Sequence, residues 1–193
     1  LTYFLFVSFG LFVILGTFSK ELVRLLSTAE YFDAYKVVPI VLMAYMFYGV
    51  YYAVSVGVSL KNKTKYIPPI VGGAAIINLM LNYLMIPAYG MMGAAVATVL
   101  SYMLMAIGIY YVSNRLYPIR YEYARIAKLF LLGVFIVVLG NILPLPGRML
   151  SISAKVGMVI LFPILLYLIG FFEQEELKVA SRMVRRWPAV FRK

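Results

Sequence analysis

An all-α integral membrane protein with six transmembrane helices is the architecture this sequence predicts, and three observations predict it. Apolar and aromatic residues make up 64% of the 193 residues and charged ones only 13%. With a mean hydropathy of +0.94, a water-soluble domain has no interior large enough to hide that much apolar surface. Six segments, at 1–18, 37–60, 67–86, 91–112, 129–145 and 156–172, contain no charged side chain. Each qualifies or comes close to the roughly 20 residues that cross a hydrocarbon core as a helix. The cations collect in every second gap between these segments.

The first segment opens at Leu1 inside an apolar run, without a charged leader or cleavage site. It therefore reads as a span rather than a signal peptide, and as part of a longer protein whose upstream portion is missing. A short basic loop follows the second segment, and Pro87 to Gly90 makes a tight uncharged turn between the third and fourth. Pro144 and Pro146 end the fifth, because proline cannot continue a helix. The expected organisation is one six-span domain over 1–172 and a basic tail over 173–193. In the tail, Leu177, Ala180, Val184 and Trp187 keep helical spacing among Lys178, Arg182, Arg185 and Arg186. That pattern fits an amphipathic helix on anionic lipid and equally a solvated run of charge.

If six spans alternate, one side carries Lys61, Lys63, Lys65, Arg115, Arg120, Arg125, Lys128 and the tail cations Lys178, Arg182, Arg185, Arg186, Arg192 and Lys193. The other keeps only Lys20, Arg24, Lys36, Arg148 and Lys155, with Glu21, Glu30 and Asp33 offsetting the first three. The positive-inside rule makes the first side cytoplasmic, with both ends of the chain there and the protein in the cell membrane. Topology thus accounts for the net charge of +11, and no nucleic-acid partner is implied. Tyr110, Tyr111, Tyr117, Tyr121 and Tyr123 at the inner surface, and Tyr31, Phe32 and Tyr35 at the outer, fit the interfacial preference of amphipathic rings. The chain has neither Cys nor His. Disulfides, thiolate metal sites, cysteine nucleophiles and histidine relays are therefore excluded, and no metal, cofactor or enzymatic role is expected.

The stretch joining the third and fourth segments is the most informative. Past Pro87, the residues Gly90, Gly93, Ala94, Ala97, Thr98 and Ser101 recur at steps of three and four, giving the fourth segment a continuous small face suited to close helix packing. Before it, Asn78 and Asn82 share a face, and an amide in hydrocarbon must find a partner or water. On the second segment Tyr45, Tyr48, Tyr52, Ser55 and Ser59 place five hydroxyls along one face. Bonding between helices is the commoner role for such residues; the other is to line a wet cavity where rings and hydroxyls meet sugar.

The pattern I-P-x-Y-G-x-x-G-A-A-x-A-T at 86–98, preceded by N-x-x-x-N at 78–82, resembles the polysaccharide flippases of the multidrug, oligosaccharidyl-lipid and polysaccharide exporter superfamily. The run 31–39, followed by a long apolar span and a short basic loop, is similar to the segment before this motif in O-antigen and capsule flippases. The likeness covers roughly residues 20 to 125. It implies a two-lobed fold of about twelve to fourteen spans, of which this chain holds most of the second lobe and two trailing helices. The implied partners are a lipid-linked oligosaccharide, membrane lipid and the absent N-terminal lobe. The implied role is to flip polysaccharide or lipopolysaccharide precursors across the membrane by alternating access.

A cation-coupled multidrug exporter of the same superfamily is the alternative, but it needs membrane-embedded carboxylates, and none lies in the six segments. A membrane-embedded glycosyl transferase or polymerase needs acidic or metal-holding groups near the surface, for which Asp33, the sole Asp, is poor material. A membrane scaffold would use the same polar stripes for packing alone. Lys20 and Arg24, four apart at an outer helix end, are weak candidates for meeting a lipid diphosphate, since such residues commonly snorkel to the interface.

Overall fold

The computed structural model describes residues 1–119, 121–143, 148–173 and 176, with Arg148 by its backbone alone. Among the described residues the chain is helical throughout, with no strand. The helices are α1 (Thr2–Thr17), α2 (Ser19–Leu26), α3 (Val38–Leu60), α4 (Ile67–Leu116), α5 (Tyr123–Ile142) and α6 (Arg148–Leu168), with 3₁₀ turns at Ala29–Lys36 and Thr64–Tyr66. Four of these helical stretches are long and apolar enough to cross a membrane, and a fifth is obtained if α1 and α2, bent by 68° at Phe18, make one crossing. This is the architecture of a multi-pass membrane protein.

Helix α4 is 50 residues long on its hydrogen bonds, about 75 Å at 1.5 Å per residue, more than twice the ~30 Å of a hydrocarbon core. It is not straight. Gly90 leaves the helical region at φ 54°, ψ −132°, a conformation open to glycine and costly for residues with a Cβ. The halves then lie side by side: a methyl on Gly108 would sit 3.3 Å from Ile70, and Ala74 shares a core with Met105, Ala106 and Ile109. Where the sequence predicts a four-residue turn, helix continues through Pro87 to Tyr89 and the reversal concentrates at Gly90.

Other boundaries differ in an instructive way. α5 begins at Tyr123 and α6 at Arg148, so both take in charged residues that the sequence reading kept outside its spans. Arg125, Lys128 and Lys155 are all accommodated by partners, as described below. Pro144, Pro146, Arg120 and the tail from 177 to 193 lie outside the described residues.

Two packed groups result. α3 packs along the α4 hairpin, while α1 packs on α5 and α6 and also touches α3. The first core gathers Tyr51, Val54, Val58 and Ile109, among others; the second gathers Phe9, Val13, Leu129, Val137 and Leu166. α1 and α5 approach closely because α5 offers glycine. A methyl on Gly133 would lie 2.6 Å from the Phe9 ring, and one on Gly140 2.7 Å from Thr17. α4 and α5, although consecutive, scarcely touch. Thr2 bonds Glu122, and Lys61 lies over the Tyr117 ring, so the ends around 1–3, 61–66, 117–119, 121–128 and 169–173 share one face of the bundle. At the opposite end Asn141 donates to the Gly16 carbonyl and Lys155 reaches Glu21.

Candidate functional site

Three polar clusters interrupt this apolar bundle. The first is on α3, where the backbone repeat brings Tyr48 and Tyr52 one turn apart and their hydroxyls share a 2.9 Å hydrogen bond. The Tyr48 ring stacks on Tyr102 of α4 at 5.0 Å and on Tyr51 at 6.1 Å, and Tyr45 meets Tyr102 edge-on at 6.4 Å. Five tyrosines thus form one continuous aromatic sheet across α3 and the second half of α4. Tyr45 and Tyr52 are more than half exposed. Ser55 and Ser59 extend the line but turn their hydroxyls back to the carbonyls of Tyr52 and Ser55, at 2.8 and 3.4 Å, as serine commonly does inside a helix. Tyr51, three residues after Tyr48, was passed over because the line was continued through its neighbour Tyr52, and Tyr102 was missed because it lies on another helix.

Asn78 and Asn82, on the first half of α4, satisfy each other in part. The Asn82 amide donates to Asn78 Oδ1 at 3.0 Å, leaving its own carbonyl oxygen buried without a partner. The structure does not join this pair to the tyrosine sheet by any hydrogen bond. Of the small residues, Gly93, Ala97 and Ser101 are buried, Ala94 and Thr98 are half-buried at the edge of that face, and Gly90 makes the chain reversal. Thr98 and Ser101 bond the carbonyls of Ala94 and Ala97.

The second cluster ties the basic face together. Arg125, 12% exposed in its side chain, meets Glu176 at 2.8 Å through one nitrogen and Glu122 and Glu173 at 3.0 and 3.4 Å through the other, while its guanidinium lies 4.7 Å from the Phe171 ring centre. Thr2 and Tyr3 donate to Glu122 and Glu176, and Lys128 donates to the carbonyls of Ile169 and Gly170 that end α6. The Thr2 hydroxyl and the Arg125 charge hold the Glu122 carboxyl below the usual carboxylate range. Burial by itself raises Glu176, but the Arg125 and Tyr3 bonds outweigh it and keep that carboxyl low. This cluster is a clasp among α1, α5 and the residues after α6.

The third cluster lies at the other end, where α1 bends into α2. Lys155 of α6 reaches both Glu21 oxygens at 2.7 and 2.8 Å. Asn141 of α5 donates to Gly16, and Ser19 bonds Asn141 Oδ1 at 3.3 Å. Lys20 and Arg24 are not in this knot; Lys20 sits 4.9 Å over the Tyr35 ring, an interfacial placement. Among the described residues no group of acidic, histidine or cysteine side chains could hold a metal ion.

No family model, curated protein or solved structure matches the chain.

Proposed function

We propose that this chain is part of a two-lobed transporter in the cytoplasmic membrane that flips lipid-linked oligosaccharide by alternating access, in line with the motif resemblance at 78–98. The observation that carries the reading is the tyrosine sheet on α3 and α4. Lipid solvates hydroxyls poorly, yet Tyr45 and Tyr52 stand exposed on a surface otherwise fit for hydrocarbon. A hydrated cavity against this face would accommodate them. There, ring faces and hydroxyls together offer a sugar both apolar contact and hydrogen bonds. The chemistry needs no covalent step. The Lys155–Glu21 pair does not by itself favour cation-coupled drug export, because the lysine already neutralises the carboxylate.

Changing Tyr48 to Phe removes one oxygen and keeps the stack. In the full-length protein, export of lipid-linked glycan per folded molecule is expected to change in rate or glycan preference, while stability falls by about 0.6 kcal/mol for the lost membrane hydrogen bond. Unchanged export per molecule, with cysteines at 45 and 52 closed to aqueous reagents, would leave these tyrosines as packing only.

Six crossings, with the basic face cytoplasmic, complete the proposal: the α1–α2 pair, α3, each half of α4, α5 and α6. A cysteine replacing Lys63 is then expected to react with an impermeant maleimide only from the cytoplasm, and one replacing Glu30 only from outside. Labelling of both from one side would overturn the count.

A further inference from the structure

α4 and α5 diverge, and the space between them is a cavity of about 440 Å³. Its floor is α1 and α3, through Phe9, Met46 and Val54, and its walls are Ala106 of α4 and Phe130 of α5. The lining is apolar almost throughout. Such a space does not hold water, which needs polar partners, and leaving it empty forfeits dispersion contacts on every side. In a membrane the available filler is hydrocarbon chain. A methylene takes about the room of a water in the liquid, ~30 Å³, so the cavity suits roughly 15 carbons of a chain.

At the basic face the character changes. Tyr121 and Tyr123, which close the cavity, also line a second, more polar pocket with Asn114, Pro118 and Ile119. The Tyr123 hydroxyl bonds that of Tyr110, so the mouth is a ring of polar groups on an apolar shaft. Lys61 and Arg115 stand at this end over the rings of Tyr117 and Tyr111. Glu122, beside Tyr121 and Tyr123 in the chain, is turned to Thr2 and Arg125. An apolar cleft that ends in hydroxyls and an amide, at a bundle end that also carries Lys61 and Arg115, is complementary to a hydrocarbon chain with a polar, anionic head.

We propose that the cleft between α4 and α5 binds one acyl chain of an anionic membrane phospholipid, with its headgroup at Asn114, Tyr121 and Tyr123. The assignment does not depend on the transport reading, since any function of the bundle requires this gap to be filled.

The test is native mass spectrometry of the full-length protein exchanged into detergent with added phosphatidylglycerol or phosphatidylcholine. One phosphatidylglycerol is expected to be retained in preference to phosphatidylcholine. Ala106→Phe occupies part of the cavity and is expected to lower retention about tenfold or more, since two excluded methylenes already account for that much. Ile164→Phe, on the exposed side of α6, is expected to leave it unchanged. Should Ala106→Phe fail to fold, Phe47→Trp in vesicles of phosphatidylcholine with a minor fraction of brominated phosphatidylglycerol supplies the answer. Its quenching is expected to exceed that of Ile164→Trp, which follows the bulk fraction. Equal retention of the two lipids, retention of a polyprenyl lipid instead, equal retention by Ala106→Phe and wild type, or equal quenching at the two tryptophans would each overturn the proposal.

Discussion

Replacing Lys155 with methionine is expected to destabilise the protein by about 3 kcal/mol or more, the usual cost of stranding one member of a buried ion pair. Lys155 is 6% exposed in its side chain and Glu21 31%, so little solvent screens them. Ile169, whose carbonyl bonds Lys128 at the basic face, provides a depth marker. At 1.5 Å per residue, Lys155 lies about 20 Å along the helix from it, short of the ~30 Å thickness of a hydrocarbon core. With the basic face at one membrane surface, as proposed, Lys155 falls within the apolar slab, where a carboxylate left without its lysine is poorly solvated. Glu21→Gln combined with Lys155→Met removes both charges and is expected to recover most of the loss. Thermal unfolding of the single and double variants in lipid measures this; if the double variant is no better than Lys155→Met, the charges are not the source of the cost.

Gly93→Ala is expected to cost about 3 kcal/mol, near the top of the range for overpacking. A methyl there would press on the Met85 carbonyl oxygen and lie 2.7 Å from its carbon. Both are backbone atoms on the opposing half of the hairpin, so no side-chain rotation relieves the clash. Gly72→Ala, on the first half of α4, is the control. Its methyl meets nothing within 4 Å, and the exchange is expected to be neutral or to stabilise by about 0.5 to 1 kcal/mol through helix propensity. Comparable stability of both variants would mean that the halves separate readily at Gly93.

These two sites show where the sequence was legible. The helices declare themselves through runs free of charge, because lipid tolerates little else, and the reversal near Gly90 is visible in a proline and a glycine three residues apart. Lys155 hid the start of α6 for the same reason. A charge reads as a boundary unless its partner is known, and Glu21 is 134 residues away in the chain. Gly133 and Gly140 likewise look unremarkable until Phe9 and Thr17 are laid against them. The tyrosine face of α3 was legible from its spacing, whereas Tyr102, which completes the sheet, joins it only through tertiary packing. The cavity had no sequence signature at all, since it is defined by two neighbouring helices failing to meet.

The shape of α4 also bears on how the chain enters the membrane. Two apolar half-helices joined at one glycine between Ile67 and Leu116 form a hairpin whose tip carries Tyr89, Met91 and Met92 and no charge. Carrying that tip across the bilayer requires no ionised group to be dehydrated, sparing about 2.5 to 3.5 kcal/mol for each Asp, Lys or Arg that a polar loop would bring to the bilayer centre. If each half of α4 is a crossing, as proposed, the connection between these two is free of charge, so the positive-inside preference acts on the pair through its flanking segments alone.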